Sequence, residues 1–67
     1  MQTDGLSELK QTLETMFSRI ETGEDILEQL ERISVLYREL PATAPKMLRH
    51  YLERKSYTKA LALLETL

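Results

Sequence analysis

The chain has 67 residues, of which 42% are hydrophobic and 30% charged, with a formal net charge of −2 and no cysteine. This length allows one domain with a thin core, because folding at this size buries only about 60% of the unfolded surface. Without cysteine, disulfides and thiolate metal sites are excluded, and stability must come from regular helix packing or oligomerisation.

No apolar run approaches the roughly 20 residues needed to span a bilayer. Residues Met1 to Gly5 carry no basic n-region, and no apolar h-region follows them. The expectation is a cytoplasmic protein without membrane association. The charge is unevenly spread. Residues 1–40 hold nine acids and four bases (4 − 9 = −5), and residues 41–67 hold two acids and five bases (5 − 2 = +3). Opposite fields on the two halves favour their packing together, and the second half offers a basic surface to an acidic partner.

Residues 1–5 read as a frayed end in which Thr3 or Asp4 caps the first helix. That helix is expected over about 6–21. Its apolar residues Leu6, Leu9, Leu13, Met16 and Ile20 step by three and four, a heptad seam that Phe17 widens. Gly23 breaks the helix, at a cost of about 1 kcal/mol relative to alanine. Thr22 and Asp25 have the spacing of a capping box, and Glu24 and Asp25 suit the positive end of a second helix dipole.

The second helix is expected over about 24–39, with a seam of Ile26, Leu30, Ile33, Tyr37 and Leu40. Leu27 and Leu36 broaden one edge of it. Glu28 and Arg32 are spaced for an i,i+4 ion pair. Two helices with matching seams and a short connection predict an antiparallel hairpin.

Pro41 and Pro45 bracket the next connection. Thr43 is a competent N-cap and Pro45 fits a first turn, so a third helix is expected over about 44–54. The stripe of Met47, Leu48, Tyr51 and Leu52 is then interrupted, because steps of three or four land on Lys55 and Ser56. Ser56 can cap a fourth helix over about 57–66, although neither glycine nor proline marks the break. The fold class expected is all-α: a small three-helix bundle whose last helix is kinked or split near Lys55 and Ser56, with four short helices as the fully split form. The expected core comprises Leu9, Leu13, Met16, Ile20, Ile26, Leu30, Ile33, Tyr37, Leu48, Tyr51, Leu52, Ala60, Leu61 and Leu64. Leu27, Leu36, Leu63 and Leu67 are expected to be left uncovered.

Tyr51, Tyr57 and Ala60, with Leu64 on the next bulky position, reproduce the spacing of the middle of a tetratricopeptide repeat, so about residues 47–67 resemble that family. The resemblance implies a helix–turn–helix hairpin that binds proteins or peptides in a concave groove. The chain departs from the family pattern at Ala44, Leu48 and the Lys55–Ser56 turn. It is also too short for the three repeats that a stable array needs. No ligand-binding residue carries over.

Catalytic chemistry has little to work with. His50 is the lone histidine and sits on a polar face beside Arg49, with Glu53 as the one acid in reach, so it reads as a surface residue. The acids Glu24, Asp25, Glu28 and Glu31 cluster without a histidine partner and read as a solvated face. No phosphate-binding or nucleophile motif occurs, and two glycines cannot build a phosphate-cradling loop. No enzyme activity, cofactor, metal or small-molecule substrate is therefore expected.

Surplus apolar surface on so small a domain points to a protein partner or to self-association, a homodimer being one form. The candidate contact residues are Met47, Leu48, Tyr51, Tyr57, Leu63 and Leu67. The alternative is a nucleic-acid-associated protein using the basic face of Lys46, Arg49, His50, Arg54, Lys55 and Lys59.

Overall fold

The computed structural model describes residues 5–66. Thr3, Asp4 and Leu67, each given a role above, lie outside them. The fold is all-α, as expected. Four helices follow one another: α1 (Gly5–Thr22), α2 (Leu27–Arg38), α3 (Lys46–Glu53) and α4 (Tyr57–Glu65). No strand occurs among the described residues. The third expected helix is thus fully split at Lys55 and Ser56.

α1 is the axis of the assembly. It packs against α2 on one side and α4 on another, and α3 packs against α4. Its seam residues Leu9, Leu13 and Met16 are sealed from solvent. Ile33 and Leu36 from α2, Leu48 and Leu52 from α3, and Ala60 and Leu64 from α4 complete the buried cluster. Ala60 is small enough to let α4 lie close to its neighbours. The cation of Arg49 stands 5.7 Å from the Tyr37 ring centre and ties α3 to the end of α2.

Two of the turns use one device. At Gly23 (φ +78) the chain enters the left-handed region. There Glu24 N–H donates to Arg19 O at 2.8 Å and Gly23 N–H to Ile20 O at 3.2 Å. This six-to-one and five-to-two pair is a Schellman cap. After α3 the same pair recurs: Ser56 N–H donates to Tyr51 O at 2.8 Å and Lys55 N–H to Leu52 O at 3.1 Å. Here the left-handed residue is Lys55 (φ +59), a conformation that costs an L-residue roughly 1–2 kcal/mol. The break was invisible as a glycine because a lysine occupies the glycine position.

Several local expectations are corrected. Thr22 does not open α2. It ends α1, and its hydroxyl donates to Arg19 O or to the Glu24 carboxylate rather than pairing with Asp25. α2 therefore starts three residues later than expected, with Asp25 Oδ1 accepting the Leu27 N–H. α3 starts at Lys46, with Pro45 at its N-cap and no side-chain cap, so Thr43 does not cap it. The cause is Pro45 itself, which disfavours helical geometry at Ala44. Ser56 holds the N-cap position of α4 without a side-chain bond.

The core also differs at the edges. Leu36, expected at the margin, is buried, and so is Gln29. The buried line on α2 is Gln29, Ile33 and Leu36, about 70° round the helix from the line of Ile26, Leu30 and Tyr37 at 100° per residue. Ile26, Leu30, Tyr37, Tyr51 and Leu61, expected in the core, are only partly buried against it. Ile20 is 51% exposed although it falls on the centre of the α1 seam. α1 has 18 residues against 12 in α2 and 9 in α4, so its seam outruns its cover.

Two stability measurements follow from this packing. In urea, Leu13→Ala should lose about 2–5 kcal/mol, whereas Leu27→Ala should stay within about 0.5 kcal/mol of the parent. At the two left-handed residues the signs are opposite. Lys55→Gly should gain up to about 1 kcal/mol by relieving the backbone, and Gly23→Ala should lose about 1 kcal/mol. A Cβ at Gly23 would meet nothing within 4 Å, so that loss is entirely conformational.

Candidate functional site

The expected contact set does not sit together as one exposed patch. Leu48 is fully buried and serves the core, which removes it from any surface. Tyr51, Tyr57 and Leu63 are partly buried against the core, and Leu67 lies outside the described residues. Of the five described, Met47 alone is largely exposed, at 51%. The other large exposed apolar residues among those described are Ile20 and Leu27, at the turn between α1 and α2. Arg49 on Tyr37 places α3 beside the last turn of α2, roughly 15 Å along that helix from Leu27 at 1.5 Å per residue. Two separate apolar spots result.

The basic set is also dispersed. At 100° per residue, Lys46, Arg49 and Arg54 spread over about 140° of the outer side of α3. Arg49 is partly buried and engaged with Tyr37, while Lys46, His50, Arg54, Lys55 and Lys59 are exposed. The His50 ring lies 6.1 Å from that of Tyr51, tilted by 54°. Glu53 makes no contact with it that would orient a catalytic base. Among the described residues no group of three or more histidines, cysteines or acids is placed to hold a metal ion. Among the described residues no helix is long and apolar enough to cross a membrane.

A concavity lies elsewhere, between α1 and α2. It is an open cleft of about 560 Å³, within the range of about 300–1,000 Å³ common for ligand pockets. Glu8, Gln11, Thr12 and Thr15 line it from α1, and Glu28, Gln29, Glu31, Arg32 and Val35 from α2. The two walls come from residues adjacent to each seam on the same side, so the antiparallel pairing itself creates the groove.

Arg32 bridges the cleft by an ion pair with Glu8. The expected pairing of Arg32 with Glu28 on its own helix is not made, because the α1 carboxylate faces the guanidinium across the groove. Glu28 and Glu31 are left without a cationic partner among the described residues. The cleft thus carries three carboxylates and one guanidinium, already engaged.

Its floor is Gln29, the one buried residue of the lining, 7% exposed. The Gln29 Oε1 meets no donor. A buried acceptor without a partner costs about 1–3 kcal/mol. Sequence reasoning passed over Gln29 because it fixed on the Ile26–Leu30–Tyr37 seam. The signal was present: Gln29, Ile33, Leu36 and Leu40 also step by four, three and four, with one polar residue in an apolar line.

Comparison with family models, with curated proteins and with solved structures finds no match to the chain. Its surface is what carries a functional reading.

Gln29→Leu should raise stability by about 1 kcal/mol or more in urea denaturation, since it removes an orphaned acceptor and adds apolar burial. A loss of stability would show that the amide is satisfied within the fold.

Proposed function

We propose that the chain is a small helical protein–protein interaction or assembly module without catalytic activity. The observation that supports this most is Ile20. It sits on the centre of the α1 seam, in register with Leu9, Leu13 and Met16, yet is half exposed. A seam position is ordinarily closed by a neighbouring helix. Leu27, 63% exposed, flanks it at the same end of the α1–α2 hairpin. Glu21, Glu24, Asp25 and Glu28 are exposed around this pair and form the polar rim that interface cores commonly have. A partner would add an apolar helix face across the open end of the seam.

The test compares the wild-type chain with an Ile20→Ser/Leu27→Ser variant. Both positions are exposed, so helicity by circular dichroism should be unchanged. In mass-resolved chromatography or affinity capture from its own lysate, the wild type should run heavier than its 7.8 kDa monomer or retain a protein. The variant should lose that association, and added salt should affect it weakly. A wild type that stays monomeric and retains nothing, or a variant that behaves identically, would overturn the reading.

A further inference from the structure

We infer that the partner is a second copy of this chain, docked head to tail: the acidic, apolar end of the α1–α2 hairpin on one copy meets the basic outer face of α3 on the next. This rests on the interaction-module reading and names its occupant.

The two exposed apolar spots have opposite surroundings. Residues 19–28, which hold Ile20 and Leu27, carry four acids and one base (1 − 4 = −3). The base, Arg19, is partly buried, whereas Glu21, Glu24, Asp25 and Glu28 are exposed. Residues 46–59, which hold Met47, carry five bases and one acid (5 − 1 = +4). Met47 lies about 20° round α3 from Arg54 and about 60° from His50, while the acid, Glu53, lies about 120° away. Among the described residues none of these charges forms an ion pair.

Charge decides which surfaces meet. Two hairpin ends face to face would set −3 against −3, and two α3 faces would set +4 against +4. Like charges held opposite one another suppress such contacts. A hairpin end on an α3 face opposes the signs and covers Ile20, Leu27 and Met47 together. The two patches lie at opposite ends of α2, so one copy cannot bring its own pair together and a neighbouring copy must. A nucleic acid on the basic face would leave Ile20 and Leu27 uncovered. A contact between unlike patches is heterologous, and it propagates from copy to copy until a ring closes.

Lys55 supplies a separate observation. The turns after α1 and α3 are built alike, but Gly23 takes the left-handed position in the first and Lys55 in the second. Glycine holds that backbone more easily than lysine does. The Lys55 side chain is exposed and forms no ion pair. What lysine adds over glycine is surface charge beside Arg54, on the face assigned to the acidic hairpin end.

The test is a charge swap in the full chain. One variant, Glu21→Lys/Glu24→Lys, reverses the hairpin end. The other, Arg54→Glu/Lys55→Glu, reverses the α3 face. All four positions are exposed, so helicity by circular dichroism should be retained. Exposed ion pairs contribute little each, so salt is a blunt probe, whereas reversal turns attraction into repulsion. Mass-resolved chromatography at loads up to about 1 mM should show the wild type heavier than its 7.8 kDa monomer. Each variant alone should associate at least about tenfold more weakly, and an equimolar mixture of the two should recover association. Arg54→Glu/Lys55→Glu associating alone as well as the wild type would mean a contact without the α3 face and would overturn the proposal. So would a mixture that stays monomeric. A wild type that never self-associates, but retards a DNA duplex through Arg54 and Lys55, would also overturn it and assign the basic face to nucleic acid. If that monomeric wild type instead captures another protein through Ile20 and Leu27, self-docking is refuted and the module reading stands.

Discussion

Everything in this fold leans on the stripe of Leu9, Leu13 and Met16 along α1. These three side chains are the part of the core on which α2 and α4 close, and α3 packs chiefly on α4, with Arg49 reaching Tyr37. A domain this small has no second core to fall back on. The consequence is polarity along α1. Where its neighbours cover it, the stripe is dry. Where they stop, at Ile20, the same stripe meets solvent.

Much of this was legible in the sequence. The α1 seam, the hairpin to α2 and the presence of a break near Lys55 all follow from spacing. The boundaries were less so, for identifiable reasons. Thr22 and Asp25 imitate a capping box, but Gly23 makes a Schellman cap that uses Thr22 as the last helical residue. Thr43 looks like an N-cap, but Pro45 disfavours helical geometry just ahead of it. Lys55 adopts the conformation of a glycine, which no composition rule anticipates. On α2 two apolar lines compete, and only packing against α1 decides which of them is buried.

The candidate site was less legible than the fold. Exposure depends on where neighbouring helices end, and that is a tertiary fact. Leu48 and Met47 are adjacent in sequence, yet one is sealed and the other open. The basic residues that look clustered in the sequence are fanned around α3. Gln29 was hidden because a single polar residue within an apolar line is easily assigned to the wrong face. Its burial has a cost in stability: the fold carries an unsatisfied acceptor where an apolar residue would pack better.

α1 carries a sealed segment and an open segment on one continuous stripe. Native-state amide hydrogen exchange, read residue by residue, tests this most directly. The amides of Leu13, Met16 and Phe17 should exchange only through global unfolding, while those of Ile20 to Thr22 should exchange through far cheaper local opening. Uniform protection through Thr22 in the isolated monomer would contradict the account.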